Sequence, residues 1–330
     1  MLVIDKKGFA DLPFWLQGPA ASLAAGQERK RNSQALLIHG IPGSGRRILA
    51  LWYAAHLLGI PHNRLAHFSM PDPGALEQGA MGHADFMFLQ PPPEKSVIPV
   101  EAVREMIGFL QLKSHQGGAR VALVCPADSL TTAAANSLLK TLEEPPAGGF
   151  IILVASSPAV LPATILSRCQ RLAVRRPEPD AAVEWLRARG GEADWQLLLE
   201  VAGGAPLRAL ALHQDNFSGK ARQLHDDLRQ LAAGRESPVA VAQRWAEHDN
   251  ELVAQWLYWT LSSAVRGSAS GQVSTQAGIV GNQPLQNAGK ALNMQTLLHR
   301  LAEVEELRRT GARAVKADLQ YAALLQRWFA

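Results

Sequence analysis

Short apolar runs alternate with stretches whose apolar residues recur every three or four positions over the first half of the chain. The runs at 35–39, 86–89, 120–124, 150–155 and 171–174 are rich in Val, Ile, Leu and Phe without strict alternation. That pattern predicts strands buried on both faces, hence a parallel sheet covered by helices. Between them, the spacing predicts helices over 46–58, 100–112 and 132–142, the first presenting Leu49, Trp52, Ala55 and Leu58 on one face. Pro145-Pro146 terminates the third. From Arg175-Arg176-Pro177-Glu178-Pro179 onward the strand pattern disappears. Helical spacing governs 181–189, 195–201 and 206–212, with a Gly203-Gly204 break, and then longer stretches to the C-terminus. The Gly-, Ser-, Gln- and Asn-rich segment 266–289 predicts a loop or connector. The chain therefore divides into an α/β domain over 1–174, a small helical region over 175–215 and an all-helical domain over 216–330.

The strand at 35–39 runs into Gly40-Ile41-Pro42-Gly43-Ser44-Gly45, with a helix starting at Arg46. This is the glycine spacing of the G-x-x-x-x-G-K-[ST] loop that cradles nucleotide phosphates between a strand and a helix. Arg46 and Arg47 stand where that motif has Lys and then Ser or Thr. A guanidinium can bind phosphate but is not a compact ammonium, and no arginine ligates Mg²⁺. The second half of such a site, acidic residues ending a later buried strand, is missing too: Val121-Ala122-Leu123-Val124 runs into Cys125-Pro126. Asp128 beyond it reads as a turn residue near a helix start. Two losses in separate halves of one site predict a loop that does not hydrolyse nucleotide.

Composition narrows the classes. The chain has 330 residues, 47% hydrophobic and 19% charged, and a net charge of +4. This is a packed globular protein, and neither half is basic enough to read as a stand-alone DNA-binding module. Cys125 and Cys169, both in apolar runs, read as buried thiols rather than a disulfide framework or a four-ligand zinc site. No apolar run approaches membrane-spanning length and no signal peptide is evident, so a cytoplasmic location is expected. Trp256 and Trp259, three residues apart, share a helix face and read chiefly as core.

Two further stretches are specific. Asn136-Ser137-Leu138-Leu139-Lys140-Thr141-Leu142-Glu143-Glu144-Pro145-Pro146 is followed, one strand later, by Leu161-Pro162-Ala163-Thr164-Ile165-Leu166-Ser167-Arg168-Cys169-Gln170. In series they resemble the NALLKTLEEPP and LP-x-TI-x-SRC signatures of clamp-loader AAA+ proteins. The resemblance runs from the phosphate loop to about Leu210. It implies a RecA-like AAA+ domain with a parallel sheet, a helical lid and a C-terminal helical collar. It further implies a non-catalytic subunit of a bacterial replicative clamp loader, with delta and tau/gamma subunits as partners and with the sliding clamp and primed DNA reached through the complex. On the same ground, Arg168 would be an arginine finger supplied in trans to ATP-Mg held by the neighbouring subunit. The residues alone favour a surface arginine capping the preceding helix, and the flanking signature shifts the reading to the finger. Ser156 stands where relatives carry a γ-phosphate sensor, or simply forms a turn before Pro158. Arg208 lies in a segment resembling the second sensor, or is a solvated helix residue. Many relatives insert a four-cysteine zinc module after the first helix. The corresponding stretch here holds His62 and His67 but no Cys, so no zinc is expected. The competing reading is an active tau/gamma-type ATPase, against which the missing Lys, Ser or Thr and acidic residues weigh.

Overall fold

The computed structural model describes residues 12–29, 33–61, 77–78, 83–92, 95–115, 117–248, 250–270, 294–310 and 316–329. They fall into two compact units. The first comprises the chain up to Trp185 together with Gly204–Arg208. It opens with α1 (Phe14–Glu28), then β1 (Ala35–His39), α2 (Arg46–Leu57), β2 (Glu77–Gln78) and β3 (Phe86–Leu89). There follow α3 (Val100–Gln111), β4 (Arg120–Val124), α4 (Thr132–Glu143), β5 (Gly149–Ala155), α5 (Ala163–Leu166) and β6 (Gln170–Ala173). The sheet order is β2-β3-β4-β5-β1-β6. Every pairing is parallel except β2 with β3.

Alternation along the buried strands assigns side chains to two cores. Leu36 and Ile38 of β1 pack with α1 and α2, whereas Ala35 and Leu37 pack with α3 and α4. Such two-sided burial is what produces near-continuous apolar runs in a parallel sheet. α1 was not anticipated, although Leu16, Ala20 and Leu23 repeat at helical spacing and are its buried face. One buried ion pair anchors the β3 side of the sheet. Arg120 Nε lies 3.2 Å from Asp85 Oδ1, Arg120 donates to Phe109 O, and Asp85 also accepts from Ser114 Oγ and His115 N. Satisfying the remaining donors and acceptors is what makes such burial tolerable.

The second unit comprises Leu186–Gly203 and Ala209–Ala330, and its described elements are all helical. α6 (Pro179–Gly190) and α8 (Pro206–Gln214) lie partly in each unit's stretch of chain; α7 is Trp195–Val201. α9 (Phe217–Ala232), α10 (Pro238–Ala246), α11 (Asn250–Ser270), α12 (Met294–Thr310) and α13 (Ala317–Phe329) complete it. Trp245, Trp256, Trp259 and Trp328 are all buried, so these aromatics pack the core. Trp245 meets Trp256 and Tyr321 edge-on at 5.9 and 5.8 Å. These are favourable quadrupole arrangements. One expectation needs correcting: α11 continues to Ser270, so the polar segment 266–289 begins as helix. Residues 271–289, like His62 and His67, lie outside the described residues.

Candidate functional site

The glycine loop follows β1 and turns into α2 as its spacing predicts. Gly43 and Gly45 have φ of +80° and +98°, in the left-handed region that favours glycine. The close approaches that require glycine are made by the chain's own atoms. A Cβ on Gly43 would lie 2.5 Å from Cβ of Arg208, and one on Gly45 would lie 2.8 Å from Leu16 Cδ1. Gly40 sits likewise against Val174 O, at 2.6 Å from an added Cβ. Leu207 N donates to Gly43 O, Trp15 Nε1 donates to Ser44 O, and Ser44 N donates to Ile41 O. α1 and the first turn of α8 are thus packed onto the turn.

The two arginines after the loop diverge. The guanidinium of Arg47 lies over the Phe88 ring, 5.9 Å from its centroid. Arg46 is partly buried, and Nη1 has no hydrogen-bond partner. Burial lowers its pKa, opposed by the Cys125 thiol and the Asp128 carboxylate. Burial also lowers the pKa of His39, at the end of β1, with smaller contributions from Arg171 and Arg46. Burial pushes the Cys125 thiol up to about 11. At the second half of the site, Asp128 accepts the backbone N–H of Ser156 at 3.0 and 2.9 Å. It ties the turn after β4 to the end of β5, a turn function. Ser157 caps the short 3-10 turn Pro158–Val160 by accepting from Ala159 N, and Ser156 stands beside it. Arg208 is brought to the loop through its backbone and Cβ, against Gly43.

Arg168 lies elsewhere, just past the end of α5. Ile165 is buried in the core beneath it, and Cys169 packs against the same core, its thiol raised to about 11 by burial. Between them, Arg168 faces outward, its side chain 31% exposed. Nε donates to Glu143 Oε1 at 2.7 Å, and Nη2 donates to the same oxygen. Nη1 donates to Thr164 O at 2.9 Å and Ser167 Oγ at 3.1 Å. The Thr164 contact is the helix-capping geometry, so a cap and an outward guanidinium coexist. Glu143 belongs to the other signature stretch, 25 residues away. Its part in this cluster was not legible in the sequence.

The family model described as DNA polymerase III, delta subunit, matches residues 18–178. The DNA polymerase III subunit delta' of Pseudomonas aeruginosa is 33% identical over 257 residues, covering 76% of this chain and 77% of that protein. The chain belongs to the delta-prime family. The family's Yersinia pestis member is 32% identical, with 76% of each chain covered. Among solved structures, a DNA polymerase III gamma subunit-related protein from Thermotoga maritima shares the fold. Its TM-score is 0.50 at 19% identity, over 94% of this chain and 98% of that one. Among the described residues of this delta-prime family member, no helix is long and apolar enough to cross a membrane. Nor do those residues hold a group of three or more His, Cys, Asp or Glu that could bind a metal ion.

Proposed function

We propose that this chain is the non-catalytic subunit of a bacterial replicative clamp loader, working in the cytoplasm beside delta and tau/gamma subunits. In this reading residues 1–174 form the AAA+ domain, 175–215 the lid and 216–330 the collar that joins the ring. The chain does not hydrolyse ATP. It completes the site of a tau/gamma neighbour by presenting Arg168 to the phosphates of ATP-Mg bound there. The assembly then loads the sliding clamp on primed DNA for DNA polymerase III.

The observation that carries this reading is the position of Arg168: its side chain is partly exposed, on a stretch anchored to the core by buried Ile165 and partly buried Cys169. Guanidinium stays charged at any working pH and matches phosphate geometry, so it can stabilise charge developing on a transferring phosphoryl group. The loop supports the other half of the reading. Its glycines serve close packing by Leu16 and Arg208, and neither Arg46 nor Arg47 supplies a metal-ligating hydroxyl. Family membership supports the assembly.

The test is reconstitution. The chain is co-purified with candidate delta and tau/gamma subunits, and ATP turnover is compared for wild type and Arg168→Ala. Slow turnover in an intact complex supports the trans role. Wild-type turnover by the variant complex, or steady hydrolysis by the isolated chain, defeats it.

A further inference from the structure

α4 ends on Glu143, with Glu144 as its C-cap immediately before Pro145-Pro146. The C-terminal end of a helix carries partial negative charge, so carboxylates are disfavoured there. Helix propensity tolerates Glu, but the dipole at this end does not favour its charge. Arg168 does: the guanidinium is gripped from two sides, by Glu143 at Nε and Nη2 and by Thr164 O and Ser167 Oγ at Nη1. Its three holders are Glu143 at the end of α4, and Thr164 and Ser167 in and just after α5. The two signature stretches are therefore joined at one side chain.

We propose that Glu143 is the positioning residue for Arg168, holding its guanidinium in a fixed outward orientation before a neighbour's phosphate arrives. This rests on the reading of Arg168 as a finger acting in trans. Arginine has many rotamers, and docking an unrestrained one sacrifices that freedom at the moment of reaction. Held between Glu143 and Thr164, the side chain has already surrendered it. Of the five N–H donors on a guanidinium, the second on Nη2 is left for a phosphate oxygen. Both partners are partly exposed, at 31% and 49%. Water screens such a pair, so the grip orients the guanidinium without locking it away from a stronger anion.

The test uses the reconstituted complex with Glu143→Ala, Glu143→Gln, Arg168→Ala and the double variant, reading kcat and KM for ATP. Glu143→Ala is expected to lower kcat about three- to tenfold, in the lower part of the range of coupling between contacting residues because the pair is partly exposed, with KM little changed. Glu143→Gln, which keeps an acceptor oxygen, is expected to retain part of the lost rate. In the Arg168→Ala background, Glu143→Ala is expected to have no further effect, because it acts only through that arginine. A wild-type kcat for Glu143→Ala, or an equal loss with and without Arg168, overturns the positioning role. If Arg168→Ala is itself without effect, the finger reading falls and positioning falls with it. If Arg168→Ala is slow while Glu143→Ala is normal, positioning alone falls. The ¹⁵Nε–H resonance of Arg168 in the free subunit gives an independent readout. It is expected to move in Glu143→Ala, and an unmoved resonance also counts against the proposal.

Discussion

The glycine loop and the Arg168 corner each place arginine beside a turn, yet the two turns are surrounded differently. Around the loop the chain closes on itself. Arg46 is partly buried and Leu16 and Arg208 press on the glycines, while Arg47, over the Phe88 ring, stays exposed. At the corner the backbone is anchored by Ile165 and Cys169 while the guanidinium points out, held by hydrogen bonds to Glu143 and Thr164. The contrast teaches that keeping a loop's shape and keeping its chemistry are separate matters. Glycine spacing survives where close packing demands it, whereas function requires particular end groups in reach of a ligand.

The contrast is sharpest in turnover by the assembled complex. Arg168→Ala should lower hydrolysis at the adjoining site by about 10³-fold, the lower end of what an arginine finger supplies. Unfolding of the isolated variant, followed by circular dichroism, should stay within about 1 kcal/mol of wild type, because solvent-screened pairs such as Arg168–Glu143 contribute little. Next in size is Gly43→Ala. Its φ of +80° and the 2.5 Å approach of Arg208 should cost about 2–4 kcal/mol in denaturant unfolding. A neutral Gly43→Ala would mean the loop is loose, and the comparison with the corner would lose its basis.

A smaller effect comes from His39. Its folded-state pKa lies below the ordinary 6.5 because burial disfavours the charged ring. The unfolded chain thus binds the proton more readily. Stability should be full above the unfolded value and decline as pH falls below it, and His39→Gln should flatten that decline. The smallest expected effect is none at all. Restoring Lys and Thr at positions 46 and 47 should leave the isolated chain without ATP turnover, because Cys125-Pro126 still stands where the acidic residues belong. Measurable turnover by that double variant would place the lesion entirely in the loop.

Much of the architecture was legible in linear order. The strand runs at 35–39, 86–89 and 120–124 appear as read, and the remaining two shift by one residue at their ends. Burial on both faces leaves a signal that neighbours in sequence cannot hide. α1 was missed because its apolar face is narrow, Leu16, Ala20 and Leu23 among small and polar residues. The start of the polar segment at 266 was read as loop because glycine and serine disfavour helix locally, whereas α11 carries through to Ser270.

Sequence alone settled the alternating α/β order, the helical C-terminal half, the missing Lys and hydroxyl after the loop, and the position of Arg168 within its signature. Those properties depend on residue type and short-range spacing, which the chain states directly. Tertiary structure alone decided what surrounds them. Leu16 and Arg208 reach the loop glycines from distant stretches of chain, Asp128 binds the end of β5, and Glu143 meets Arg168 across 25 residues. Such contacts depend on how strands are ordered in the sheet and how helix ends fall beside one another, and no local spacing encodes that.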